Sequence, residues 1–328
     1  MKHAGSKPIL TWYFEMERSR ETKSGFAIAS PRSRLCGFAA LVDVCRIRRR
    51  VAGLAMTAFL LLLPAISFAK PDVIQIKGSD TMVNLGQAWA EEYMNRNPET
   101  NIAVTGGGSG TGIAALINGT TTLAQSSREM KPEEKEEVLK STGKVVKEFQ
   151  VGMDALAVIV NPSNPLAELS IDQLSGIFTG KIVNWKEVGG PDEPILILSR
   201  DRNSGTHVYF LEHVVRKGNA KGPEEFAASA LMMPSSQAIA QEVARSRASI
   251  GYVGLGYVNP GLKPVGIKKD SAAPAVQPSV ETAQNGTYPI SRPLYIDTAG
   301  EPEGKVKEFI DFVLSPEGQE IVRQMDFV

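Results

Sequence analysis

Three turns in this 328-residue sequence share one design. Each joins an apolar, strand-like run to the start of a helical pattern through Gly, Ser and Thr. They are Lys77-Gly78-Ser79-Asp80-Thr81, Gly106–Gly112 (GGGSGTG) and Arg200–Thr206 (RDRNSGT). The first N–H groups of a helix lack intrahelical partners and carry the positive end of its dipole, so such turns attract anions without a fixed cation. Glycine lets the backbone come close, and Ser and Thr hydroxyls add adjustable donors. One such turn is ordinarily just an N-cap. Three in one chain, one of them carrying two arginines, point to an oxyanion site.

Other chemistries for the Gly-rich turn fail on spacing. A P-loop needs Lys after its last Gly, and none follows. A dinucleotide loop, G-x-G-x-x-G, ends on Thr111 or Ile113 when started at Gly106 or Gly108. Started at Gly110 it ends on Ala115, a tolerated variant, but the acidic residues about 20 further on fall in a charged helix and not at a strand end. A nucleophile elbow around Ser109 would need Gly at Thr111. A Ser-based hydrolase or phosphatase using Ser109 or Ser204 also lacks a base, since His207 and His213 are the only histidines after residue 69. His207, just past Thr206, reads as a surface or supporting residue. The sequence offers no cluster of metal ligands and implies no cofactor.

The elements that must carry these turns follow from periodicity. Val73–Lys77 (VIQIK) reads as a strand, and a helix from Thr81 puts Met82, Leu85, Trp89 and Tyr93 on one face until Asn97-Pro98 stops it. Asn101–Thr105 is a strand, Ile113–Asn118 a helix, Leu123–Gln125 a strand leading into Ser126-Ser127-Arg128. Pro132 opens a charged helix to about Lys140, read as a solvated face. Ala155–Val160 (ALAVIV) and Pro194–Ser199 (PILILS) are unbroken apolar runs, as in strands covered on both faces. Ser170–Gln173 is a capping box before a helix to Phe178. Helices are predicted over Gly205–Val215 and Ser235–Arg245, a strand over Ser249–Val253, and two closing helices over Gly304–Leu314 and Pro316–Met325, the second opened by Ser315-Pro316. A polar, proline-dotted stretch runs from Ser271 to about Thr287. Strand–helix alternation of this kind indicates an α/β fold. Trp89, Tyr93 and Trp185 read as packing residues.

The two ends of the chain differ in charge. Residues 70–328 hold 32 acidic and 25 basic residues, which argues against a nucleic-acid partner and leaves any bound anion to local geometry. Arg46–Ala69 has four arginines, an apolar run from Val51 to Leu63, Pro64, and Ser67-Phe68-Ala69 with small residues at −3 and −1. That is the pattern of a cleavable secretory signal peptide; the run is short for a membrane span of about 20 residues. Residues 1–45 precede it as an extension. Both cysteines, Cys36 and Cys45, fall before the cleavage point, so a mature chain would have no disulfide and no thiol chemistry.

GSDTM, GGGSGTGIAALINGT, SSR, ALAVIVNPSNP, IFTGKIVNWKEVGG, SRDRNSGTHVYF and IGYVGLGY occur here in the order seen in phosphate ABC-transporter substrate-binding proteins. From about Val73 to its C-terminus the chain resembles that family. The resemblance implies a two-lobed type II periplasmic-binding fold, an α/β architecture with two crossover hinge strands and phosphate held in the cleft by lobe closure. It implies lobe one from 70–153 and 257–328, lobe two from 154–256, and crossings near Asp154–Val160 and Gly251–Tyr257. The partners implied are inorganic phosphate and a membrane permease/ATPase complex, for a monomeric, periplasmic receptor. By motif matching, the phosphate contacts would be Ser79, Thr81 and Met82 from the first turn, Ser109, Gly110 and Thr111 from the second, Ser127 and Arg128, and Arg200, Ser204, Gly205 and Thr206 from the third. Arg202 is a weaker candidate. Some relatives have Asp where Ser127 stands, to accept the proton of hydrogen phosphate. Here Asp154 takes that role in the expectation, with Asp80 in reserve. The Ser127 departure keeps another oxyanion, sulfate or molybdate, as the alternative ligand.

Overall fold

The computed structural model describes residues 73–328. The predicted signal peptide and the extension before it lie outside the described residues. The strands are β1 (Val73–Gly78), β2 (Asn101–Thr105), β3 (Leu123–Ser126), β4 (Val146–Val160), β5 (Glu168–Ser170), β6 (Leu196–Arg200), β7 (Leu231–Met233), β8 (Ser249–Gly254), β9 (Lys263–Pro264), β10 (Gly266–Lys268) and β11 (Ser291–Ala299). The helices are α1 (Val83–Arg96), α2 (Ser109–Ile117), α3 (Pro132–Thr142), α4 (Ile171–Phe178), α5 (Gly205–Phe210), α6 (Ser236–Arg245), α7 (Val280–Gln284), α8 (Gly304–Leu314) and α9 (Pro316–Gln324). The turns Asp80–Met82, Trp185–Val188 and Leu255–Tyr257 are 3-10, and α5 runs on into a π-helical turn over Leu211–Val215.

The main sheet runs β2-β1-β3-β11-β4-β8-β6-β7, with β9 also on β4. β1 pairs in parallel with β2 and β3, and β6 in parallel with β8 and β7; β11 and β4 are antiparallel to their neighbours. β4 joins two halves of this sheet. Its stretch Val146–Ala155 pairs with β11 and its stretch Leu156–Val160 with β8, so Asp154 sits at the handover.

Each half is covered by helices on both faces, and in the second half this matches the unbroken apolar runs of β6 and of the Ala155–Val160 stretch of β4. In the first half, Trp89, Phe309, Ile310, Val313 and Phe327 pack on β1, β4 and β11, and Ile113, Leu116 and Val138 cover the other face. In the second half, Leu174, Phe178, Trp185 and Phe210 pack on one face and Ile239, Ala240 and Val243 on the other. Trp89 donates its indole N–H to the Gly318 carbonyl (2.8 Å) and Trp185 to that of Ala248 (3.0 Å), so each buried ring keeps its polar atom satisfied. The predicted capping box closes from both sides: Ser170 Oγ accepts from Gln173 N–H and Gln173 Oε1 from Ser170 N–H.

Residues 262–290, expected to build the first lobe, pack instead with the second half. Val265, Ile267, Ala283, Tyr288 and Ile290 share its core, and Tyr288 Oη donates to the Leu156 carbonyl (2.9 Å). The tie is β10, which pairs with β5. The chain re-enters the first half only at β11, so the return crossing is at Ile290–Arg292 and not at Gly251–Tyr257.

Candidate anion-binding site

The three turns converge where the two halves of the sheet meet. Thr81, at the end of the first turn, and Thr206, from the third, hydrogen bond through their hydroxyls (2.8 Å) although 125 residues apart. Ser109, opening α2, and Ser127, just after β3, bring a second pair of hydroxyls to 3.3 Å, and Ser127 N–H donates to Ser109 Oγ (3.1 Å). Gly205 lies against this second pair: a Cβ there would stand 2.3 Å from Ser109 Oγ and 2.8 Å from Ser127 Oγ. All four hydroxyl residues are buried.

A guanidinium lies at the centre of this ring. Arg292 on β11, fully buried, donates from Nη2 to Thr206 Oγ1 (3.0 Å) and Thr81 Oγ1 (3.3 Å), and from Nη1 to the Ser127 carbonyl (3.1 Å). Its counter-charge is Asp154, whose Oδ2 accepts from Nη2 (2.9 Å) and Nε (3.2 Å). Asp154 Oδ1 accepts from Leu255 N–H (3.2 Å). Burial pushes the Asp154 carboxyl above its ordinary value, against the pull of Arg292 and of that N–H. Gly254 keeps this corner open, since a Cβ there would meet Asp154 Oδ1 at 2.9 Å and Thr81 Cγ2 at 3.0 Å. Asp154 and Thr81 are therefore neighbours.

A second ion pair, with its arginine buried and its carboxylate half-buried, stands beside the first. Arg200 Nη2 donates to Asp80 Oδ2 (2.9 Å) and to the Pro234 carbonyl (3.1 Å), and Nη1 to Ser236 Oγ (2.9 Å). Asp80 Oδ2 also accepts from Ser236 N–H (3.0 Å) at the start of α6, where the helix dipole favours a carboxylate. Burial lowers the Arg200 guanidinium from its ordinary value, with Asp80 opposing. Its terminal nitrogens are thus engaged, and only Nε, buried, has no partner.

The remaining expected contacts fall around this centre. Ser204 caps α5 by accepting from His207 N–H (3.4 Å). Met82 is a core side chain, and its N–H returns to the Ser79 carbonyl (3.1 Å). Ser79 is buried with its hydroxyl unpartnered. Gly110 and Thr111 give their N–H groups to the Asn203 and Gly108 carbonyls (2.9 and 3.0 Å). Arg128 turns away from the hydroxyl ring, forking Glu134 through Nη1 and Nη2 (2.8 and 2.7 Å). Arg202 is exposed. His207 is buried beside Phe226 (4.6 Å between ring centres), with Nδ1 at 3.3 Å from Ser199 Oγ; burial lowers its pKa and keeps it neutral. Among the described residues no group of three or more His, Cys, Asp or Glu is arranged to hold a metal ion.

A compact, buried cluster of hydroxyls around a counter-charged arginine, at the crossing between two sheet halves, offers the donors that a small oxyanion needs. A family model described as a PBP superfamily domain matches residues 67–317. The chain is 33% identical over 261 residues to the phosphate-binding protein PstS of Pseudomonas aeruginosa, covering 75% of this chain and 79% of that protein. This chain belongs to the PstS family of phosphate-binding proteins. The PstS of Bacillus subtilis is likewise 33% identical, with 76% of this chain and 77% of that protein covered. The fold matches a phosphate ABC transporter substrate-binding protein of Clostridium perfringens, solved with bound phosphate, at a TM-score of 0.69. That protein is 31% identical, with 78% of this chain and 99% of that one covered. The architecture is therefore the two-lobed type II periplasmic-binding fold, with the sheet halves as its lobes.

Arg292 is the site residue that sequence reasoning missed. Asn203 and Ser236, which bridge the two halves, were missed as well. The only signal for Arg292 was SRPLYID, a strand pattern interrupted by Pro293.

Proposed function

We propose that this chain is an exported receptor that binds inorganic phosphate between its lobes and delivers it, as a monomer, to an ABC importer, with no chemistry performed on the ligand. One observation carries this reading. Arg292 is fully buried, balanced by Asp154, and bonded to the hydroxyls of Thr81 and Thr206 with Ser109 and Ser127 beside them. These hydroxyls now satisfy one another and can exchange those bonds for phosphate oxygens, with Arg292 supplying the positive charge. Membership of the PstS family supports phosphate over other anions. PstS-type proteins are periplasmic or extracellular, and the leader pattern at Arg46–Ala69 supports export.

Selectivity follows from counting lone pairs. A carboxylate has about four acceptor directions. Asp154 uses three on Arg292 and Leu255, which leaves one on Oδ1, next to Thr81. A P–OH can donate to it. Sulfate, without a proton, would set an oxygen against it and be repelled. Asp154 is thus both the anchor of Arg292 and the proton acceptor that replaces the Asp missing at Ser127. Arg200, committed to Asp80 and Ser236, supports the cleft and offers only Nε to the ligand.

The deciding experiment is calorimetric titration of the protein, stripped of anion by partial unfolding and refolding. Phosphate, then sulfate and molybdate, are added at one mildly acidic and one mildly basic pH. One-to-one phosphate binding, with Kd of about 1 μM or tighter (about −8 kcal/mol) and no heat from sulfate, is expected. Heat from sulfate or molybdate with silence for phosphate would overturn the ligand and leave the cleft.

A further inference from the structure

We propose that Asn203 is the clasp that holds the lobes shut at the rim of the cleft, setting the residence time of the ligand without touching it. This rests on the phosphate-receptor reading above. Asn203 lies in the turn between β6 and α5, on the second lobe. Its side-chain amide donates to the Gly107 carbonyl (2.7 Å) and to Thr111 Oγ1 (2.9 Å) on the first lobe, and its own carbonyl accepts from Gly110 N–H (2.9 Å). One residue therefore grips both ends of the turn that carries Ser109.

Donor and acceptor roles fit only an amide. Thr111 Oγ1 donates its proton to the Gly107 carbonyl (2.7 Å), so it can only accept from Asn203, and the Gly107 oxygen can only accept. Both groups facing the side chain need a donor, and the NH2 of Asn supplies two protons. An Asp in its place would present oxygens to two committed acceptors.

The same contact explains the glycines. Gly108, at φ +95°, would place a Cβ 2.8 Å from the Asn203 carbonyl oxygen, and Gly110 would place one 3.2 Å from it. The Gly-rich turn is shaped to receive the other lobe's backbone, and its Gly110 N–H, a natural anion donor, is spent on that docking. Asn203 is exposed, while its neighbour Ser204 and the gripped Ser109 are buried. The clasp therefore stands immediately outside the hydroxyl ring, and a bound anion leaves only after it opens.

The test is stopped-flow release of inorganic phosphate from wild type, Asn203→Ala and Asn203→Asp, with small-angle scattering of each ligand-free protein. Losing two interlobe hydrogen bonds is expected to speed release about tenfold for Asn203→Ala, and more for Asn203→Asp, with association within about twofold. The ligand-free variants are expected to be more expanded, with the denaturant midpoint unchanged. Release within about twofold of wild type in both variants would overturn the clasp. Failure of the wild type to bind phosphate would instead sink the phosphate reading. Scattering then decides the clasp alone: expansion of the variants upholds it, and unchanged dimensions overturn it.

Discussion

Arg292 and Asp154 face each other directly across the β11–β4 ladder, and the guanidinium sets two nitrogens on one carboxylate oxygen with neither side chain exposed to solvent. Removing one member leaves the other charged and buried. Arg292→Ala and Asp154→Ala are each expected to destabilise the protein by about 3–5 kcal/mol, with the double variant less unstable than the two losses added together. Urea unfolding of the three variants measures this. Single losses below about 1 kcal/mol would mean that water reaches the pair.

Asp154→Asn also takes the counter-charge from Arg292, so selectivity is read from the ratio of two anions and not from one affinity. The amide can donate where the carboxylate could only accept, so the ligand's proton loses its acceptor and an unprotonated oxygen gains a donor. The ratio of phosphate to sulfate affinity is expected to fall by about ten- to a hundredfold. Competition calorimetry reads it, and an unchanged ratio would move the proton acceptor to Asp80.

What was legible and what was not divides at β11. The turns carrying Thr81, Ser109 and Thr206 could be read because local chemistry, glycine and hydroxyls between an apolar run and a helix, marks them. Met82 could also be read as apolar core, in register with Leu85 and Trp89, although motif matching gave its backbone to the ligand. Arg292 left no such mark. Its strand contains Pro293, which cannot donate to the ladder, and the opposing Met153 instead exchanges bonds with Val328 (2.6 and 2.9 Å). That arrangement is set by residues 175 positions apart in sequence. Arg200 and Asp80 were both singled out singly, but their pairing across the cleft is a tertiary fact. The start of α2 at Ser109, four residues before the apolar pattern begins, was hidden because Ser-Gly-Thr-Gly reads as loop on propensity alone.

Gly205 is a further point of closure that tolerates no side chain. A methyl there would stand 2.3 Å from Ser109 Oγ and 2.9 Å from Ser109 Cβ. Rotating the hydroxyl away would remove a donor that the proposed phosphate site uses, and keeping it would push the lobes apart. Gly205→Ala is expected to weaken phosphate binding by about 1–3 kcal/mol, the usual scale of overpacking, while leaving each lobe folded. Titration together with far-ultraviolet circular dichroism checks both halves of that statement. Wild-type affinity would show that Ser109 is not a ligand.

Asp297 on β11 gives the pH dependence. It is fully buried, neither carboxylate oxygen has a partner, and Glu148 faces it across the ladder. Burial pushes its pKa well above the ordinary carboxylate value; Glu148 and Glu134 add to the rise, and Lys135 and Arg128 offset part of it. The native state therefore holds the proton more tightly than the unfolded chain does. Between the ordinary and the raised value the unfolded state binds fewer protons, so stability is full at acid pH and is lost as pH rises through the raised value. Asp297→Asn keeps the shape without the charge. It is expected to match wild type near pH 3, below the ordinary carboxylate value, and to exceed it by about 1–3 kcal/mol near pH 8, the cost of a buried unpaired polar or charged group. Denaturant unfolding at the two pH values measures the gap. A variant that parallels wild type across the range would mean that Asp297 is ionised and solvated in the native protein.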